Sequence, residues 1–417
     1  MKSTSFIYLS AKNYDGTVFE TQVADWLKLY KENGIEFNYI HLFFYRDFKK
    51  NNWKKQQESG IRSALGDLYK GYSYSFPSRG MFIKINASLW AKKIREVSRD
   101  ADQIVIFSRM VYGKEVTLLK RMFNKPVYFI YDSRAASVEE NKYNAVKSGK
   151  LSKKQFDMFS HISYTEYVTC QAADKIFSVS NVLKRYLMTN YGIDEKRFFI
   201  YPCLSDQRKF YYDGSLRKAV RENHHFNDKH HVYLYAGGLY NAYHSLDEIV
   251  SFLNFVAKND KDARFLLLSR DIIDQKELLE HYPALNGKFI NNAIPNSEMV
   301  KYLNAADYGI LFRENVPMNN VASPSKFAEY ILCGLPTIIS EGVGDYSAMC
   351  EPNGLGVLVP ENQMKNLNEF DFEKLKNASF DRNKIAAYGR QFLSKQARLP
   401  FVIEQFKSFE ECPLNKQ

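Results

Sequence analysis

Short apolar runs alternate with longer segments of helical period through most of the chain, and that rhythm excludes most architectures. Candidate strands fall at residues 6–9, 37–43, 104–107, 127–131, 176–179 and 198–201. A polar, poorly periodic stretch follows, SLRKAVRENHHFNDKHH at 215–231, and the alternation then resumes with strands at 232–235, 265–268, 308–312, 337–340 and 356–359. Strands separated by helices make βαβ units, whose sheets are parallel and covered by helices on both faces. Two such series predict an α/β fold of two doubly wound, Rossmann-like parallel-sheet domains facing across a cleft. The expected boundaries are 1–205 for the first domain, 206–231 for a linker, 232–385 for the second domain and 386–417 for a helical ending that crosses back to the first. With 417 residues and 45% apolar side chains, the chain has material for two cores.

In open α/β sheets ligands bind beyond the carboxyl ends of the strands, where helix N-termini converge, so the strand-to-helix turns are where chemistry is expected. The most informative turn lies in NNVASPSKFAEYILCGLPTIISEGVGDY, residues 319–346. Ser323 and Pro324 read as a helix start, the serine as N-cap and the proline as first helical residue, and Gly334 with Pro336 reads as its stop. A capping box would place Glu or Gln at the third helical position, where this chain has Lys326. At about 100° per residue, Phe327, Ala328, Ile331 and Leu332 share the core face, and Lys326, Glu329, Tyr330 and Cys333 share the other. A cation at a helix N-terminus costs about 0.3–1 kcal/mol unless an anion accompanies it. Two readings stand open. One is a bound diphosphate held by backbone N–H groups and the ammonium, with Glu329 reaching a ribose diol. The other is an exposed Lys326–Glu329 ion pair worth about 0.2–0.5 kcal/mol.

The segment resembles the donor-site signature of retaining GT-B glycosyltransferases of family four, S-P-x-K-x-x-E-Y-L-x-x-G-x-P. Ser323, Pro324, Lys326, Glu329, Tyr330, Gly334 and Pro336 match it, and Ile331 replaces the leucine. The resemblance implies that Glu329 binds the nucleotide ribose and that Lys326 lies near the diphosphate. Other segments follow in the family's order. ADKIFSVSNVLKRYLMTNYGIDEKRFFIYPC is similar to the close of the first domain, and Pro202, Cys203 and Asp206 match its Pro-Cys-x-x-Asp. VYLYAGGL resembles the glycine-rich turn that opens the donor domain, where Gly237 and Gly238 let backbone approach the phosphates. YLNAADYGILFREN resembles the stretch before the signature, with Arg313 near its end, and KPVYFIYDSRAASVEE resembles a first-domain loop with Asp-x-Arg, here Asp132 and Arg134. Two departures matter. The family's first glutamate falls on Val321, and the Arg and Lys that follow its glycine turn fall on Gly238 and Tyr243, with His244 nearby. The diphosphate is then left to Arg313 and Lys326.

The resemblance implies a retaining hexosyltransferase acting by front-face displacement, in which the leaving phosphate helps deprotonate the acceptor hydroxyl. No protein nucleophile is required, and none stands out. Arg313, Lys326, Asp132 and Arg134 are the catalytic candidates. Glu329, Lys326, Ser323, Pro324, Gly237, Gly238, His244 and Arg313 are the candidates for holding a nucleotide-sugar donor. Asn13, Asp15 and Gly16, in the first strand-to-helix loop, and Arg109, after the strand at 104–107, are the candidates for meeting a glycan or lipid-linked glycan acceptor. Plainer readings stay open beside these: an Asx-type turn at 13–16, a mutual Asp132–Arg134 pair, a loop charge at Arg109. No cofactor and no metal are expected, because Lys, Arg and helix N–H groups neutralise a leaving diphosphate. Asp100-Ala101-Asp102 and Asp260-Lys261-Asp262 match D-x-D formally, but both precede a strand. No nucleophile elbow, zincin motif or Walker lysine loop is present. A catalytically silent sugar-nucleotide-binding subunit, motivated by Val321, and a GT-B-like epimerase are the alternatives.

The formal net charge of +11 favours anionic partners, with dense basic clusters at 46–50, at Lys54 and Lys55, and at 147–154. Two readings of these clusters stand open, a solvated basic face and a patch for an anionic membrane surface, and no nucleic acid is expected. Five scattered cysteines without a C-x-x-C pair fit a reducing cytosol. No apolar stretch reaches the roughly 18 residues of a spanning helix. A cytoplasmic enzyme of polysaccharide synthesis (capsule or O-antigen), peripheral on the inner face of the plasma membrane, is the expectation.

Overall fold

The computed structural model describes residues 3–109, 111–149, 151–240, 243 and 246–411. The chain divides into two units, Met1–Pro202 with Leu399–Gln417, and Cys203–Arg398.

The first unit is built on seven parallel strands, β1 (Thr4–Ser10), β2 (Phe37–Phe44), β3 (Tyr69–Ser75), β4 (Gln103–Ser108), β5 (Val127–Ser133), β6 (Lys175–Ser178) and β7 (Phe198–Ile200), in the order β3-β2-β1-β4-β5-β6-β7. Ile7 of β1 lies opposite Asn38 of β2 on one side and Ile106 of β4 on the other. All six residues of β4 are buried, as expected of a parallel strand covered on both faces. A helical hairpin, α1 (Ser137–Lys147) and α2 (Lys153–Ala172), follows β5. The segment from Leu399 onward completes this core. Phe406 packs against Tyr30, Phe37 and Phe107 at ring separations of 5.1, 5.2 and 5.8 Å.

The second unit carries β8 (His231–Ala236), β9 (Ala263–Leu268), β10 (Phe289–Asn292), β11 (Tyr308–Leu311), β12 (Thr337–Ser340) and β13 (Gly356–Val359), all parallel, in the order β10-β9-β8-β11-β12-β13. In both sheets the strand order reverses beside the first strand, so the topological switch points are β1/β4 and β8/β11. Ligand chemistry in such sheets belongs at the carboxyl ends of those pairs.

The segment expected as a linker, 206–231, carries a helix, α3 (Gly214–Asn223), capped by Asp213, whose side chain accepts from Ser215 N. Arg217 and Arg221 of α3 both donate to the Ala305 carbonyl at the end of α4 (Met299–Ala305) and pair with Asp307. An inward face made of arginines hides the apolar period by which a helix is normally recognised. Strands β3 and β10 were also not anticipated; each is a sheet edge.

The signature helix, α5, spans Ser325–Leu332 and starts later than expected. Pro324 takes the N-cap place with φ −67° and ψ 124°, and Ser323 does not cap. The Ser323 hydroxyl instead accepts from Cys203 N at 3.0 Å and bonds the Tyr346 hydroxyl at 2.9 Å. Tyr330 and Cys333, assigned by period to a polar face, are fully buried, because α5 is covered on both sides. Among the described residues no helix is long and apolar enough to cross a membrane.

Candidate functional site

At the second switch point, β8 runs into Gly237 and Gly238. The turn is pinned from β9 and the loop beyond it: Gly237 N donates to the Leu268 carbonyl at 3.1 Å, and Leu239 N donates to Asp271 Oδ2 at 2.7 Å. The Tyr235 hydroxyl donates to the Gly238 carbonyl at 2.6 Å and lies 3.0 Å from where a Gly237 Cβ would stand. A side chain at 237 would therefore crowd that hydroxyl and require it to shift.

Across the switch, β11 leads through the fully buried Phe312 to Arg313. Both backbone groups of Arg313 are clamped by the Ser340 hydroxyl at the end of β12, at 2.9 and 3.0 Å. Its half-buried side chain lies over the Tyr243 ring, 5.4 Å from the centroid. Nε is buried without a hydrogen-bond partner among the described residues. Burial pulls the guanidinium pKa below the usual arginine value, and the groups that oppose the shift are Tyr243, Tyr235 and Cys203, none of them a carboxylate. Drawing a cation partly out of water without a carboxylate beside it is costly, and a bound anion offsets that cost.

Helix α5 meets the same place. Ala236 N, one residue before Gly237, donates to the Tyr330 hydroxyl at 3.1 Å. Ser323 holds Cys203 N, and the Cys203 thiol is among the groups facing Arg313. In the first turns of α5, Lys326 Nζ lies 2.6 Å from Glu329 Oε2, and Ser325 Oγ donates to Glu329 Oε1 at 3.2 Å. The ion pair forms, but not as an exposed one: the Glu329 side chain is 5% exposed and that of Lys326 24%. The helix terminus thus offers N–H groups, an ammonium at the rim and a sheltered acceptor one turn deeper. Val321, buried, follows the short helix Pro317–Asn320. Gly344, with φ +52°, lets the following turn approach so closely that a Cβ would stand 1.8 Å from the Ala322 carbonyl oxygen. His244 lies outside the described residues.

At the first switch point the structure gathers three of the expected residues. Asp132, buried at the end of β5, pairs with Arg109 Nε at 2.8 Å and with Arg134 Nε at 2.6 Å. Gln22 fixes Arg109, its carbonyl accepting from Nη2 at 2.6 Å, and Arg134 lies 4.7 Å from the Tyr201 ring centroid. Burial pushes the neighbouring Tyr8 phenol up to about 12, with Arg109 acting against it. The anticipated Asp132–Arg134 pair is therefore one side of a triad. In the loop after β1, Asp15 Oδ1 accepts from Phe19 N at 2.8 Å and Oδ2 pairs with Lys12 at 2.7 Å. Gly16 precedes the helix at φ +74°, and Asn13 is exposed. Asp15 thus holds a backbone N–H of the helix that follows, while Asn13 stands exposed in the loop beyond β1.

Sequence reasoning missed Tyr235, Ser340, Asp271 and Gln22. Each acts through a contact distant in the chain, for which no local pattern exists. Among the described residues no cluster of three His, Cys, Asp or Glu groups is placed to hold a metal ion.

No family model and no curated protein matches this chain. Solved structures do. A sucrose-phosphate synthase from Thermosynechococcus elongatus superposes with a TM-score of 0.68 at 13% identity, covering 98% of this chain and 99% of that one. A glycosyltransferase from Rickettsia africae ESF-5 gives 0.67 at 16% identity over 98% and 100% of the two chains. Anabaena Alr3699/HepE, crystallised in complex with UDP-glucose, gives 0.62 at 12% identity over 97% and 100%. The likeness shows the fold, which is that of the GT-B glycosyltransferases.

Proposed function

We propose that this protein is a retaining glycosyltransferase that binds a nucleotide sugar in its second unit and transfers the sugar to a glycan acceptor met by the first. The observation that carries the reading is Arg313: a guanidinium at the β8/β11 switch point whose Nε is buried without a hydrogen-bond partner among the described residues, beside a Gly-Gly turn and the lysine-bearing terminus of α5. A diphosphate supplies the missing counter-charge. Lys326 turns from Glu329 to the phosphates, and the freed carboxylate accepts hydrogen bonds from the ribose diol. Gly237 and Gly238 let the backbone come close to the phosphates.

The reaction breaks the bond between the sugar's anomeric carbon and the phosphate oxygen and forms a bond from the same face to the acceptor oxygen. The acceptor proton passes to the leaving phosphate. Arg313, Lys326 and the N–H groups of α5 stabilise the charge that develops on the diphosphate, so the protein acts by positioning and electrostatics. The reading includes no metal. Asp132, held between Arg109 and Arg134, with Asn13 and the loop after β1, orients the acceptor. UDP-glucose is the first donor to try, since a structurally similar protein was crystallised with it. A lipid-linked acceptor of cell-surface polysaccharide synthesis, at the cytoplasmic face of a membrane, is supported by the net charge of +11.

A second reading, a sugar-nucleotide binder without turnover, is favoured by Val321 alone. Incubation with UDP-, GDP-, ADP- and CMP-sugars, with and without membrane extract, separates the two. Release of nucleotide is the expected result, and saturable binding with no release under any condition rejects transfer.

A further inference from the structure

The hairpin after β5 carries an apolar surface that donor and acceptor chemistry leaves unused. Between α1 and α2 lies an open trough of about 800 Å³, walled by Val146, Leu151, Phe156, Phe159, Tyr164 and Tyr167. Val146, Leu151, Phe156 and Tyr164 are 60%, 52%, 59% and 51% exposed. Large apolar side chains gathered at such exposure mark an interaction surface. The bend between the helices is basic: Lys153 and Lys154 are exposed, as is Lys147, which lies over the Tyr143 ring at 4.8 Å, against Asp157 on the same turns. Lys142, on the trough wall, is paired with Glu139 at 3.0 Å and is not counted. A second copy of the chain docked here would bring lysines against lysines. A nucleic acid would use the lysines and leave the trough unfilled. A surface with phosphate above hydrocarbon satisfies both features.

We propose that the α1–α2 hairpin docks on an anionic bilayer, with Leu151 and Phe156 entering the acyl layer, Lys147, Lys153 and Lys154 among the headgroups, and one lipid chain in the trough. The proposal rests on the lipid-linked acceptor reading and gives that acceptor's membrane a place on the fold. Ser137, the first residue of α1, lies three residues after Arg134, so the hairpin leaves the sheet edge that carries the Arg109–Asp132–Arg134 triad.

The test is co-sedimentation of the full chain at low salt with vesicles of phosphatidylcholine alone or mixed with phosphatidylglycerol. The melting-temperature shift given by UDP-glucose is read in parallel on every protein. The wild type is expected to sediment with the anionic vesicles. Lys153→Gln with Lys154→Gln should weaken that partition roughly thirtyfold, from about fivefold per lysine. Leu151→Ser with Phe156→Ser should weaken it at least about tenfold. Both variants should keep the UDP-glucose shift, which shows that they fold. Wild type left in the supernatant, or variants that sediment as the wild type does, overturns the proposal. So does light scattering in which Leu151→Ser with Phe156→Ser converts a dimer to a monomer. Sedimentation kept while no nucleotide sugar shifts the melting temperature supports the docking site and counts against the transferase reading.

Discussion

Replacing Arg313 by methionine separates a ligand-binding arginine from a structural one, because the two roles predict opposite signs. Among the described residues the side chain lies over the Tyr243 ring, 5.4 Å from its centroid, a contact worth about 0.5–1 kcal/mol. Against this stands a charge drawn into the unit, where the groups that favour it are Tyr243, Tyr235 and Cys203 and none of these is a carboxylate. Exchanging buried ionic groups for apolar ones of similar volume gains about 1–4 kcal/mol. Arg313→Met is therefore expected to be as stable as the parent or more stable by up to about 3 kcal/mol, read by urea unfolding without ligand. With nucleotide sugar the sign reverses. Charge-assisted hydrogen bonds to phosphate contribute about 1.5–3 kcal/mol, so Kd should rise roughly 10- to 150-fold in titration calorimetry. A variant that loses more than about 2 kcal/mol in the free state and binds nucleotide sugar as tightly as the parent would refute the reasoning and make Arg313 a structural residue.

Glu329→Gln keeps the shape but removes the partner 2.6 Å from Lys326; it should weaken nucleotide-sugar binding by about 1.5–3 kcal/mol while a nucleoside diphosphate lacking the ribose diol binds as before, both by calorimetry. Gly344→Ala combines a left-handed φ of +52° with a Cβ 1.8 Å from the Ala322 carbonyl oxygen, and should lower stability by about 3 kcal/mol or more in urea. His41 is fully buried against Phe43, its ring centre 4.4 Å from that ring, and burial lowers its pKa to about 4. The unfolded chain therefore binds a proton between pH 6.5 and 4 that the folded chain refuses, so this contribution to stability is lost as pH falls through that window. The loss from pH 7 to 5 is about 2 kcal/mol, and His41→Leu should abolish that part of the slope. Glu166 works in the opposite sense: burial raises its carboxyl pKa, which favours the folded state at low pH and disfavours it as pH rises.

The alternation of apolar runs made the two parallel sheets legible, because a strand buried on both faces has to be a continuous apolar run. The same logic explains what was illegible. β3, with the sequence YKGYSYS, and β10, with FINN, are edges, partly open to water, and polar residues and glycine interrupt both, so neither reads as an apolar run. Arg313 and the Gly-Gly turn were singled out through the resemblance, and the structure sets both at strand ends beside the β8/β11 switch point. The start of α5 was misplaced by local capping logic: Ser323 looks like an N-cap, but its hydroxyl is drawn to Cys203, 120 residues earlier in the chain, and to Tyr346. The triad at Asp132 shows the same limit. Asp132 and Arg134 are near neighbours and were read together, whereas Arg109 joins them from another strand and is itself held by Gln22. Burial of Glu329, which turns a surface ion pair into a sheltered one, is likewise set by what covers the helix.

In the proposed complex a diphosphate completes the charge at Arg313 and Lys326. A crystal soaked in UDP-glucose tests it in one measurement. Diphosphate density is expected beside Gly237, Arg313 and the first turn of α5, with ribose hydroxyls on Glu329 and a Lys326–Glu329 separation opened well beyond its present 2.6 Å. Nucleotide density away from α5, with that pair still closed, would contradict it.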